Sequence, residues 1–227
     1  MRTQQATLPN PLPVEALEPS ATWAAGREEP LRAAGTVVEI GEGQEICAEG
    51  DDTDHFYKVV SGVVRICKFL SDGRRQIEAF HVAGELFGLE LGAERLLSAE
   101  AVTNCSIIVY RRRSIEQQAK SDHAISHQLF QHAMQSLAQA QVHSLLLGRR
   151  GAAEKVAAFL LEWTAKAGQG DRLHLVMSRQ DIADYLGLTI ETVSRSMSQF
   201  ERDGVIALSG ARHMRVLSRG ALLSLAS

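Results

Sequence analysis

Glu191, Ser194 and Arg195 carry three different hydrogen-bonding groups within one helical turn of each other. At about 100° per residue they fall on one side of a helix with Ser198, while Val193, Met197 and Phe200 fall on the other. An arginine on such a face can bond guanine O6 and N7 together, worth about 1–3 kcal/mol of discrimination. A carboxylate would be repelled by phosphates, so Glu191 makes sense there as an acceptor from a cytosine N4 amine, or as a brace for Arg195 one turn on. Ser194, beside them, can reach a neighbouring base. An ordinary helical hairpin needs the same apolar phase but does not explain that polar triplet.

Such a helix must be presented by a second one. Ser178 is a suitable N-cap for a turn bearing Ile182 and Leu186, with small Ala183 where two helices would cross. Gly187 supplies a left-handed stop, Leu188 a corner plug, and Thr189 the cap of the next helix, with Glu191 in its first turn. The spacing predicts a helix-turn-helix that delivers its second helix to the DNA major groove. Ser178, Arg179, Thr189 and Thr192 are placed for phosphates, which fix position without reading sequence. Downstream, two apolar runs flank Ser209-Gly210 as a hairpin with a two-residue turn, a "wing" from which Arg212, His213 or Arg215 can reach phosphates.

Charge is consistent with DNA at one end only. From residue 149 onward there are 11 Lys+Arg against 8 Asp+Glu, whereas the whole chain carries a formal net charge of −3. The three cysteines, Cys47, Cys67 and Cys105, form no CxxC pair, which argues against a disulfide framework or a zinc finger. Residues 149–227 contain no cysteine, so a thiol switch cannot sit in the reading head itself. No stretch approaches the roughly 20 apolar residues needed to span a bilayer, and no apolar signal core is present, so the expected compartment is the cytoplasm.

Four segments follow from the pattern. Residues 1–34 read as a flexible leader, since all five prolines lie in the first 30 residues. Residues 35–112 read as an antiparallel β-roll of short apolar runs (56–60, 63–70, 77–82, 107–110), punctuated by Gly43, Gly50, Gly62, Gly73 and Gly84. Residues 113–148 read as one uninterrupted helix with two apolar stripes. Ile125, Leu129, Ala133, Ala140 and Leu147 are assigned to dimerisation; Phe130, Met134, Leu137, Val142 and Leu145 form the second stripe. Two stripes imply two partners, one being the same helix of another subunit. Gly148-Arg149-Arg150-Gly151 reads as a hinge, and residues 149–227 as the winged helix-turn-helix, opened by an amphipathic helix over 152–165. The fold class is α+β.

Strand roll, long helix and winged helix-turn-helix together resemble the Crp/Fnr superfamily of bacterial transcription regulators over residues 35–217. The strongest marks are Gly84-Glu85-Leu86-Phe87-Gly88-Leu89 and Arg179-Gln180-Asp181-Ile182-Ala183 through Arg195. Glu191-Thr192-Val193-Ser194-Arg195 looks like the Fnr/FixK signature rather than the Gly-Arg ending of the cyclic-AMP receptor. The resemblance implies a homodimer on a TTGAT-N4-ATCAA palindrome, with Glu191, Ser194 and Arg195 on bases, recognition helices about 34 Å apart, and RNA polymerase as partner. By analogy alone, the loop at residues 71–75 could touch the polymerase.

Departures narrow the branch. Nucleotide-binding relatives carry an Arg-Ser pair before an alanine, but here the stretch is Leu96-Leu97-Ser98-Ala99, with Arg95 too early to grip a phosphate. The N-terminal cysteine group of iron–sulfur members is missing, and three thiols cannot complete a four-thiolate site. A haem on His55 or His81, as in carbon-monoxide sensors, is a lesser alternative, and His123 with His127 lacks a third metal ligand. A cupin-like metalloenzyme would need a His-x-His, which the chain does not contain. The expectation is therefore a non-enzymatic, FixK-like activator of low-oxygen or nitrogen-fixation genes, with no cofactor, metal or small effector.

Overall fold

The computed structural model describes Leu31 and residues 35–148, 151–167 and 170–226. The first half is built from eight strands: Thr36–Ile40 (β1), Glu45–Cys47 (β2), His55–Ser61 (β3), Val64–Phe69 (β4), Arg75–His81 (β5), Leu86–Phe87 (β6), Ser98–Ala101 (β7) and Cys105–Arg111 (β8). They pair antiparallel in two four-stranded sheets, β1-β8-β3-β6 and β2-β7-β4-β5. Alternation sends Val59, Val64, Phe87, Ala101 and Ile107 between the sheets, where each is buried. The glycine turns fall where the sequence places them. Gly62 is obligatory: φ is 89°, and an added Cβ would lie 2.5 Å from the Asn104 carbonyl oxygen. At the β4–β5 tip, Gly73 takes φ 82°.

Helix Arg112–Ala119 (α1) leaves the roll, and His123–Leu147 (α2) follows. The single helix expected over 113–148 is therefore broken at residues 120–122. Asp122 explains the break, because its Oδ1 accepts from the amides of Ala124 (2.8 Å) and Ile125 (3.4 Å) and caps a new helix.

The dimerisation stripe also needs correcting. Ile125 is 4% exposed, packed with Leu31, Phe56, Tyr110 and Ile115, and Leu129 lies half-buried against the same cluster. Leu147 is half-buried, with a methyl 3.7 Å from where a Cβ on Gly187 would sit. These side chains serve their own subunit, and only Ala133 and Ala140 of the five are exposed. The free apolar stripe is Phe130, Met134, Leu137, Val142 and Leu145, exposed by 39–74%. Leu31 corrects the leader as well: it is fully buried in the roll. The remaining leader positions, and Arg149 and Arg150 of the expected hinge, lie outside the described residues.

The second half contains Ala152–Ala167 (α3), Arg172–His174 (β9), Arg179–Leu186 (α4), Ile190–Arg202 (α5), Ile206–Ser209 (β10), His213–Val216 (β11) and Arg219–Leu225 (α6). The three strands form the sheet β10-β11-β9. Ser209 pairs with His213, so the wing turns through three residues, Gly210 to Arg212, rather than the expected two. Strand β9 and helix α6 were not foreseen from the sequence.

One apolar cluster crosses from roll to helices. Phe80 of β5 lies against Phe159, Trp163 and Tyr185, with ring centroids 5.4–6.5 Å apart. Aromatic contact of this kind adds to simple burial. Phe80→Ala is expected to cost about 3–5 kcal/mol, read as a lower midpoint in urea unfolding of the full chain.

Candidate nucleic-acid interface

Local chemistry fixes the two-helix unit before any tertiary contact does. Ser178 Oγ accepts from the Asp181 amide (3.0 Å), and the Asp181 carboxylate accepts from the Ser178 amide (2.9 Å), a reciprocal box at the start of α4. Gly187 ends α4 in the left-handed conformation, φ 62° and ψ 40°. Thr189 then caps α5, accepting from the Thr192 amide at 3.3 Å. Val193, Met197 and Phe200 are at most 1% exposed, so the face of α5 opposite them is committed to solvent. Glu191, Ser194, Arg195 and Ser198 are all exposed there.

Glu191 is held ionised. Its own backbone amide lowers its pKa first, the Thr189 hydroxyl next, and the Arg195 charge also contributes. The helix thus offers acceptor, hydroxyl and cation side by side, a combination able to recognise base edges.

The residues assigned to phosphates are not alike. Ser178 and Thr189 are exposed but already engaged as caps, and the hydroxyls of Thr189 and half-buried Thr192 lie 3.0 Å apart. Arg179 folds back over α5 with its guanidinium on the Met197 sulfur, half-buried, and burial lowers its pKa. It must swing outward to meet a phosphate. Arg212 and His213 are exposed at the wing.

Sequence reasoning missed what orients the reading head. Arg65 on β4 and Arg75 on β5 both reach Asp181, Arg65 at 3.3 Å. Arg75 also binds Asp184 at 2.8 Å, and Arg65 binds Glu100 of β7 at 2.6 Å. Burial pushes the Asp181 carboxyl up, but the Ser178 hydrogen bonds and the two guanidinium charges outweigh it, and its pKa is lowered. His143 of α2 stacks on Tyr185 of α4 (centroids 4.1 Å, 9° between planes), with Nε2 2.8 Å from the Tyr185 carbonyl oxygen. The Ser178 cap is what the sequence announces; the part of Asp181 in it, and the arginines that join it from 106 and 116 positions away, are not.

The roll shows how its own charged residues are spent. Arg95 is 3% exposed, donates to the His55 carbonyl (2.6 Å) and to Glu90 (3.4 Å), and lies over the Tyr57 ring at 5.3 Å. Ser98 accepts from the Glu49 amide at 2.9 Å. Between roll and α2, the gap lined by His81, Glu85, His132, Gln135 and Gln139 has a volume of about 10 Å³. Burial raises the pKa of Glu85, but the His81 hydrogen bond and the Lys166 charge overcome it and hold it at about 2. Burial pushes the thiols of Cys47 and Cys67 up to about 11, which is the opposite of an activated cysteine. His123 and His127 are exposed, and no cluster of three metal-ligating side chains occurs among the described residues. No helix among them is long and apolar enough to cross a membrane.

Two family profiles match: a cyclic nucleotide-binding domain over residues 37–122 and a Crp-like helix-turn-helix domain over 154–225. The nitrogen fixation regulation protein FixK of Rhizobium meliloti is 42% identical over 196 residues, covering 86% of this chain and 90% of that one. FixK of Azorhizobium caulinodans is 43% identical over 202 residues, covering 87% and 82% respectively. The solved structure of FixK2 from Bradyrhizobium japonicum superposes with a TM-score of 0.82 at 42% identity, covering 86% of this chain and 98% of that one.

Two measurable outcomes follow from the paired carboxylates Asp181 and Glu85. Asp181→Ala removes half of the capping box and one carboxylate partner from each of Arg65 and Arg75, which keep Glu100 and Asp184, and should cost about 1–3 kcal/mol in urea unfolding. Glu85, lowered from its ordinary 4.5 to about 2, stabilises the fold fully above that ordinary value. That contribution, with Asp181 acting in the same sense, is lost as the pH falls from about 4.5 to about 2, and an acid titration followed by circular dichroism should show it. A helix-turn-helix locked to a β-roll, with relatives matched over nearly their whole length, makes this chain a member of the Crp/Fnr family of transcription regulators, on its FixK-like branch.

Proposed function

We propose that the chain acts as a homodimer on a two-fold palindrome of the TTGAT-N4-ATCAA type. In this reading it activates low-oxygen or nitrogen-fixation genes in the cytoplasm through RNA polymerase and needs no small-molecule effector. The observation that carries it is the solvent-facing triplet Glu191, Ser194 and Arg195 on a helix whose other face is wholly buried. Arg195 takes the guanine, Glu191 the cytosine amine and Ser194 a neighbouring base. Ser178, Arg179, Thr189, Thr192, Arg212 and His213 hold the backbone.

Dimerisation runs through Phe130, Met134, Leu137, Val142 and Leu145, an apolar stripe that a second copy of α2 covers as a parallel pair. Effector independence is supported by Arg95, whose guanidinium is committed within the roll. The role in nitrogen-fixation control is supported by the names of the relatives.

Selection of sites from random duplexes by the purified protein, with no added ligand, tests the whole reading. A recovered two-fold TTGAT motif is the expected result, and recovery only after a cyclic nucleotide is added would replace it with a ligand-gated regulator. Arg195→Ala should lose about 1–3 kcal/mol of preference at the guanine, and Glu191→Ala should relax the paired cytosine. Equal losses on every sequence would contradict base contact. Leu137→Glu with Phe130→Glu should give a monomer by sedimentation, with DNA affinity falling as a result.

A further inference from the structure

The wing sheet carries a basic face that the recognition helix does not explain. Met214 and Leu173, paired across β11 and β9, point into the core at 4% and 3% exposure. Their neighbours must therefore face outward. His213 pairs with His174 and Arg215 with Arg172, so four basic side chains share one face, and all four are exposed. Arg212, also exposed, stands at its edge, whereas β10 sets only Ser209 and Ala207 beside His213 and Arg215. The two imidazoles are stacked, with centroids 4.5 Å apart and 11° between planes.

This face is continuous with the reading head. The Leu175 amide donates to the Arg212 carbonyl at 2.7 Å, tying the wing edge to the segment that leads into Ser178. From His174 to Ser178 is at most ~14 Å of extended chain, about four base-pair rises of 3.4 Å along one strand. Like charges gathered on a flat exposed face cost free energy unless an anion meets them, and a phosphodiester strand supplies anions at that spacing.

We infer that the outward face of the wing sheet, through Arg172, His174 and Arg215, carries the backbone contact of Arg212 and His213 onward as a track for DNA phosphates beyond the palindrome, and that His174, stacked on His213, takes up a proton as it engages. The inference rests on the DNA-binding reading above and extends its footprint. The groups surrounding the pair are Asp171 and Arg172 beside β9, Arg212 and Arg215 beside β11, and from α3 the Trp163 indole, which donates to the His174 carbonyl at 3.2 Å. In the free protein His174 is held below its ordinary pKa by burial first, then by His213 and Arg212. An incoming phosphate reverses the sign of that field, so the bound form holds the proton better and binding tightens as pH falls.

The test uses the full chain and two duplexes containing the same palindrome, one ending at its edges and one extended by about one helical turn on each side. Binding is read by fluorescence anisotropy. The double variant Arg172→Gln/His174→Gln should weaken binding to the long duplex roughly ten-fold and lower its salt slope by about two, leaving the short duplex nearly unchanged. Arg172→Lys should retain wild-type affinity, since the track needs charge rather than a particular fork. Wild-type affinity for the long duplex should rise from about pH 8 to about pH 6, and His174→Gln should abolish that rise.

Equal loss on both duplexes, or no loss on either, overturns the inference. Unchanged DNA binding with reduced transcription in the presence of polymerase would assign the face to an acidic protein surface, and also overturns it. If the wild-type chain prefers the palindrome on neither duplex, the DNA-binding reading itself fails; palindrome preference without a flank effect sinks the phosphate track alone.

Discussion

The Asp181 carboxylate is the point on which the arrangement of this molecule turns. It closes the capping box that starts α4 and accepts guanidinium groups from two strands of the roll. A carboxylate 5% exposed is costly to bury alone. Here the backbone amide, the Ser178 hydroxyl and two arginines satisfy it, so the same group that begins the reading head also anchors it. Phe80 and the His143–Tyr185 stack act on the same helix from other sides. Helix α4 is thus held by the roll, by α3 and by α2, and α5 inherits its position.

That construction divides the work between two helices. The ion pairs to the roll and the ring stack on α2 fall on α4, while α5 packs its apolar face on α3 and α4 and keeps its polar face clear. Glu191, Ser194 and Arg195 are all exposed on that face. In the other domain the Arg95 guanidinium is likewise committed, to Glu90, a carbonyl and the Tyr57 ring.

Where the chain's geometry is set by neighbours in sequence, the sequence was sufficient. Ser178, Gly187 and Thr189 announce a cap, a stop and a cap, and the structure has them in those roles. The roll glycines mark turns because their backbone conformation excludes other residues. Contacts between distant segments were not legible. Strand β9 is only three residues long with charged flanks, and it exists because β11 returns to pair with it. Lys120-Ser121-Asp122 contains neither proline nor glycine, so the break between α1 and α2 rests on one capping side chain. The two stripes of α2 are similarly apolar, and the cluster of Leu31, Phe56, Tyr110 and Ile115 decides that Ile125 turns inward and Phe130 outward. Arg65 and Arg75 look like ordinary strand surface until α4 is laid against them.

The stack of His143 on Tyr185 lies near the far end of the helix whose exposed stripe a second copy would cover. In a symmetric pair, then, the distance between the two base-reading helices would be set by the length of α2 up to that flat aromatic joint. Half-site separation becomes a property of where along α2 that joint sits. Moving it by one turn of helix, about 5.4 Å of rise, would shift each head by more than a base-pair step. In such a pair the ruler for the operator would lie in the long helix, at the buried His143.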